Sequence, residues 1–195
     1  NVLKTLKEIY DNMGFENKLT KENSKGNIKY SGKRDVNVLS ITCRNYQNYL
    51  ESLGYKWGCK SAEKQIPDFI MQANDEVAKA FLKSFVDAEG YVHPVCRQIE
   101  ISSASKNLIY QLSLLLQRFN ILCSFSECFK MATNGKKIKR KYYRLYICGD
   151  GVDRFFESVG LNYDYKNKSY YDLTTKPNSN KNGKPLFQLL RPFFD

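Results

Sequence analysis

An α+β fold, made as a tandem repeat whose first half lacks the leading helix and strands of the second, is predicted by three features of this sequence. A shift of 106 positions superposes the two halves without a gap, laying Asn1 on Asn107, Leu6 on Leu112, Leu39 on Leu145 and Ile41 on Ile147. Under the same shift Lys33-Arg34 meets Lys139-Arg140, Glu51-Ser52-Leu53-Gly54 meets Glu157-Ser158-Val159-Gly160, and Lys60 meets Lys166. Second, helical spacing of apolar residues alternates with strand-like runs, so that helix covers helix and hairpin covers hairpin. Third, 195 residues with 42% hydrophobic and 14% aromatic content can bury a core in one domain or two packed halves. That composition excludes wholesale disorder.

Val2, Leu3, Leu6, Ile9, Tyr10 and Met13 share one helical face over residues 1–14, with Gly14 as the stop. A segment rich in Lys, Asn and Gly leads to a strand at Val36–Thr42. A short helix over Tyr46–Leu53 closes at Gly54, and a longer one follows Asn74 and Asp75, both suited to cap it. Beyond Gly90 come strands at Tyr91–Val95 and Arg97–Ser102, a helix at 105–119, a long hairpin at 121–148 and a helix at 151–159. The predicted units are residues 1–70, residues 71–170 and a tail, 171–195. In the tail a polar linker, Thr174–Pro185, precedes an apolar end, Leu186–Phe194, expected to dock on another surface. The counterpart of the helix 76–89 falls before residue 1, and the chain opens on Asn1 rather than Met. It is therefore expected to begin inside a longer product.

Lysine and arginine number 31 against 20 aspartate and glutamate, a net charge of +11 that points to a polyanion, with nucleic acid ahead of a membrane surface. No run approaches about 18 apolar residues, so a membrane-spanning helix is excluded. Cys43, Cys59, Cys96, Cys123, Cys128 and Cys148 are scattered without a C-x-x-C pair, and His93 is the sole histidine, which gives no support to a zinc site. Cys43 and Cys148 lie in apolar, strand-like runs and read as buried, reduced thiols, so an intracellular setting is expected.

The stretch Phe81–Gly90 carries the most chemistry. At 100° per residue Ala80, Ser84 and Ala88 form a stripe of small side chains that lets a second helix approach closely, while Phe81, Leu82, Phe85 and Val86 cover the neighbouring arc. Asp87 and Glu89 occupy the last turn, where the helix dipole disfavours negative charge. Acids placed against the dipole imply a cation nearby, and Gly90 is expected to supply a left-handed exit. The competing reading is an ordinary helix that ends in exposed acids.

This stretch resembles the signature helix of the LAGLIDADG homing endonucleases, the dodecapeptide type found in inteins and mobile introns. Leu82 opens the nine-residue motif, Ser84 takes the small-residue position, Asp87 is the first acid, Glu89 the last, and Gly90 closes it; Lys83 departs from the usual small residue. The tandem repeat fits the family, as does the phrase Gly58-Cys59-Lys60-Ser61…Lys64-Gln65-Ile66-Pro67 ahead of the motif helix, so the resemblance covers about residues 1–170. It implies a pseudo-twofold pair of αββαββα-type halves, each with a saddle-shaped antiparallel sheet along the DNA major groove. The two motif helices would meet at the axis through Ala80, Ser84, Ala88 and their counterparts. It further implies that Glu89 binds Mg²⁺ or Mn²⁺ at a scissile phosphate and that Lys166 and Lys60 stand near the attacking water or the phosphate. Lys168 and Lys64 are close substitutes, and solvated surface lysine is the competing reading.

Strand alternation nominates the residues that would read DNA. With Ile99 and Ile101 inward, Gln98, Glu100 and Ser102 face the other way; with Leu145 and Ile147 inward, so do Tyr142, Arg144 and Tyr146. Gln and Arg suit adenine and guanine edges. The hairpin tip, with Lys136, Lys137, Lys139, Arg140 and Lys141, suits phosphate contact, or is simply a solvated turn. His93 reads as a packing residue, and Trp57 fits either the core or the DNA side. The expected activity is site-specific hydrolysis of both strands of a long DNA site. The expected assembly is a monomer with internal pseudo-symmetry, or one completed by a second chain that supplies the missing motif helix. The alternative is a catalytically degenerate DNA- or RNA-binding, maturase-like module. The chain ends Phe194-Asp195 without a His-Asn pair, so protein splicing is not assigned to these residues.

Overall fold

The computed structural model describes residues 2–24, 34–131 and 138–174. The first unit is helix α1 (Val2–Asn12), the hairpin β1 (Asn17–Ser24) and β2 (Arg34–Ile41), and helix α2 (Arg44–Ser52). A short helix α3 (Asp68–Met71) leads into α4 (Asp75–Glu89), β3 (Gly90–Val92), β4 (Gln98–Ser103), α5 (Lys106–Gln117), β5 (Cys123–Met131), β6 (Lys139–Cys148), α6 (Asp150–Ser158) and α7 (Asp164–Thr174). β1 starts at residue 17 and β5 at 123, while α2 spans 44–52 and α6 150–158, an offset of 106 in both cases.

β1 and β2 form one antiparallel sheet; the other four strands form a second, in the order β3-β4-β6-β5, antiparallel throughout. Ile99, Ile101, Leu145 and Ile147 on one face of the larger sheet meet Leu82 and Val86 of α4, Leu112 and Leu116 of α5 and Phe155 of α6 in a single core. By contrast, no residue in the spans 3–21 and 37–65 is buried, and Leu19, Leu39 and Ile41 of the small hairpin are half-buried. No helix among the described residues is long and apolar enough to cross a membrane.

Local chemistry accounts for the helix starts. The Asn74 side chain accepts the Val77 N–H at 3.0 Å to cap α4, with Asp75 and Glu76 in its first turn. Ser105 caps α5 by accepting from the Leu108 N–H, and its hydroxyl donates to the Lys64 carbonyl at 2.6 Å. Next to it the Ile66 N–H donates to Gln111 Oε1, so the Lys64-Gln65-Ile66-Pro67 phrase is docked on α5 and Ile66 is buried.

Four departures from the sequence expectation concern the elements and their packing. The polar segment after α1 contains a strand, β1, because register with β2 supplies what its own sequence lacks. The helix α7 lies where no apolar periodicity points to one. Cys148 is exposed and Cys43 half-buried rather than buried. Gly90 is not left-handed: its φ of −81° and ψ of 144° are extended, and glycine is needed there for space. A Cβ at Gly90 would stand 2.6 Å from Val86 Cγ1 and 2.7 Å from the Val86 carbonyl oxygen.

Candidate nucleic-acid interface and the acid at its edge

One face of the four-stranded sheet carries no helix among the described residues, and that face is largely polar. Register places Tyr91, Gln98, Glu100 and Ser102 on it together with Arg140, Tyr142, Arg144 and Tyr146, and none of these is buried. The edge strand β5 adds Ser124, Ser126, Cys128 and Lys130, paired with Tyr146, Arg144, Tyr142 and Arg140. The sequence reading missed these four, although the alternation in Cys123–Met131 carries the same signal as β6. Lys130 Nζ donates to Ser102 Oγ at 2.9 Å across the intervening strand.

The basic hairpin divides between two faces. Arg140 belongs to the open face, but Lys139 and Lys141 alternate to the helix side, paired with Met131 and Phe129. Lys141 forms an ion pair with Glu127 at 2.6 Å there and lies over the Tyr143 ring. Lys139 and Lys141 are thus removed from the row expected to face DNA. Lys136 and Lys137 lie outside the described residues.

At the edge of the same sheet α4 runs directly into β3, and its last residues have separate occupations. Asp87 is 7% exposed, and its carboxylate accepts from the Asn162 N–H at 2.9 Å, Asn162 Nδ2 at 2.8 Å and the Tyr163 N–H at 3.4 Å. Lys166, 5% exposed, donates through Nζ to the carbonyls of Val86 at 2.8 Å, Asp87 at 2.7 Å and Gly90 at 2.6 Å. Burial pulls the Lys166 pKa below that of a free lysine, while the Asp87 and Glu89 carboxylates pull it back up. An ammonium of this chain thus stands beside these acids, bonded to the carbonyls of the helix end rather than to either carboxylate. An ammonium has three protons, and all three are spent on carbonyls, which corrects the expectation that Lys166 faces water or phosphate. Lys60 and Lys168 are exposed, as is Lys64. Among the described residues no hydrogen bond or ion pair joins Lys60 to Glu89.

Glu89 is exposed, and no hydrogen bond or ion pair holds its carboxylate among the described residues. Nor does any group of three or more His, Cys, Asp or Glu gather to hold a metal among them. The donor present is one hard oxygen ligand beside an open face. That fits Mg²⁺, which proteins commonly hold by one or two carboxylates with phosphate and water completing the shell. Ala80, Ser84 and Ala88 are exposed too, so no described helix covers their stripe.

Comparison with known proteins decides the kinship. The family profile described as a LAGLIDADG-like domain matches residues 76–160, the stretch from the start of α4 through α6. Residues 76–160 are a LAGLIDADG-like domain. Its fold is that of the homing endonuclease I-DmoI, known from mesophilic variants (TM-score 0.56, 14% identity, covering 82% of this chain and 72% of that one). A second match is a glycine-to-serine variant of I-DmoI solved with its target DNA in the presence of Mg (TM-score 0.51, 15% identity, 79% and 68% covered). Among curated relatives, a probable translation initiation factor IF-2 of Methanocaldococcus jannaschii is 31% identical over 178 residues, covering 90% of this chain but 14% of that protein. A tRNA-splicing ligase RtcB of Pyrococcus furiosus is 26% identical over 186 residues, covering 86% and 18%. This chain thus spans less than a fifth of the length of those relatives.

Proposed function

We propose that this protein is a site-specific DNA endonuclease that hydrolyses phosphodiester bonds in both strands of a long duplex site with a divalent cation. The observation that carries the reading is the exposed Glu89 carboxylate at the point where α4 enters the edge of a polar sheet face that no described helix covers. A net charge of +11 favours a polyanionic partner for that face. Glu89 would hold Mg²⁺ or Mn²⁺, which supplies Lewis-acid polarisation of a phosphate oxygen and activation of water. The chain's own residues do the rest: the open face binds and orients the duplex, and Lys166 with Asp87 fixes the helix end that presents Glu89. The residues 1–70 and 71–170 would act as the two halves, with the first motif helix supplied by a preceding segment or by another chain.

The curated relatives support a mobile, intein-type host. A translation factor and a tRNA-splicing ligase share no activity in their names, yet each contains a segment similar to this one. An inserted element explains that distribution.

One observation favours the second reading, a binding module without double-strand cleavage. The exposed Ala80, Ser84 and Ala88 stripe lacks a described helix against it, and α4 brings a single terminal acid to the edge of the sheet. One acid makes one metal half-site. Selection of binding sites from a randomised duplex library, followed by addition of Mg²⁺, separates the two readings. Cutting of both strands at a long asymmetric consensus supports the endonuclease. A consensus that is bound but left intact or nicked supports the binding module.

A further inference from the structure

Arg144 is the most constrained cation on the open face. It lies on β6, an interior strand, and its neighbours come from three strands. Nε stands 3.2 Å from Glu100 Oε1 on β4, and Nη1 donates to the Tyr146 hydroxyl at 3.2 Å. That hydroxyl also receives a bond of 3.3 Å from Ser126 on β5. Among the described residues nothing accepts from Nη2. The guanidinium is therefore held from behind while its outer donors stay available.

A phosphate is a poor match for this arrangement. Glu100 stands beside the guanidinium, about equally exposed, and would repel a polyanionic backbone brought onto it. A guanine edge is a good match, because O6 and N7 are neutral acceptors spaced for two guanidinium N–H groups. Its paired cytosine offers an N4–H donor that a carboxylate can accept. The side chains that hold Arg144 also remove most of the rotamer entropy that a free arginine loses on docking.

We propose that Arg144, positioned by Glu100, Tyr146 and Ser126, is a specificity-determining residue that reads the guanine of one G·C pair in the duplex target. This rests on the DNA-binding reading above and adds to it the identity of one base.

The test uses the full chain and the consensus duplex recovered from a randomised library, with each base pair then substituted in turn. The wild type is expected to lose about 10- to 100-fold in affinity when one particular G·C pair is changed, the range of a bidentate contact. R144K keeps the charge and lacks the fork, so it should bind with an unchanged salt slope and show no preference at that pair alone. E100A should flatten the same preference and raise affinity for unrelated duplex, since it removes a negative charge from the face. If R144K retains every base preference, or loses affinity equally on all sequences with a shallower salt slope, Arg144 is a phosphate contact and the inference is overturned with DNA binding intact. If the wild type enriches no duplex, the DNA-binding reading itself falls, and this inference with it.

Discussion

Lys166 Nζ lies 2.7 Å from the carbonyl oxygen of Asp87, and Asp87 in turn holds the Asn162 N–H with its carboxylate at 2.9 Å. Two residues far apart in sequence thus close a clasp in which the backbone of one acid is engaged by α7 and its side chain by the segment leading into that helix. The clasp ends α4, turns the chain into β3 and leaves Glu89 as the acid free to face outward.

The clasp sets a stability prediction. Lys166→Met keeps the apolar stem and removes all three charge-assisted donors, leaving three carbonyls to find other partners. The expected cost is about 2–4 kcal/mol in chemical denaturation. A loss below about 0.5 kcal/mol would be that of an ordinary surface lysine and would show that the clasp does not form.

Gly90 makes a second prediction, with a different physical cause. Its backbone is extended, so alanine there meets no conformational penalty but drives a methyl group into Val86. Gly90→Ala should cost about 1–3 kcal/mol through overpacking, despite the general tendency of Gly→Ala to stabilise. A stabilised variant would mean that α4 and β3 part more easily than this contact allows.

Most of the fold was legible where a residue pattern is local. The Asn74 cap, the α4 periodicity and the alternation of Ile99, Ile101, Leu145 and Ile147 each carry their own signal, and the structure follows them. β1 was not legible because Asn17–Ser24 offers one apolar residue, Leu19, and is a strand through its pairing with β2. α7 has few apolar residues in its sequence and is anchored by Lys166 at the end of α4 and by Tyr170, which stacks on Phe156 and bonds Asp153. The Lys166 clasp was hidden for the same reason: its partners are backbone carbonyls about 80 residues away, and no side-chain pattern announces them. The helix-side position of Lys141 could have been read from the alternation that puts Arg144 on the opposite face.

Opposite faces of β6 give a third prediction. Arg140→Glu, on the open face, should weaken duplex binding and reduce the steepness of its salt dependence by roughly one ion. Lys141→Glu, on the helix side beside Glu127, should leave duplex affinity nearly unchanged and destabilise the fold slightly through like charges. Filter binding across a salt series checks both; equal losses from the two would contradict the assignment of faces.

Thiol chemistry supplies a fourth. Burial, with Cys148 beside it, holds the Cys123 thiol up to about 12, whereas Cys59 and Cys96 are exposed. Alkylation at pH 8 followed by mass spectrometry should label Cys59 and Cys96 well ahead of the half-buried Cys123. Labelling of Cys123 as fast as Cys59 and Cys96 would show that its thiol is not held protonated by its surroundings.

The account turns on Glu89, and its most direct test compares wild type with Glu89→Gln on the consensus duplex in Mg²⁺. The substitution keeps size and removes charge at an exposed position, so binding in the absence of metal should match the wild type within about twofold. Cleavage of both strands by the wild type and none by the variant is the predicted result. Equal cleavage by the two would remove Glu89 from the chemistry and contradict the account at its centre.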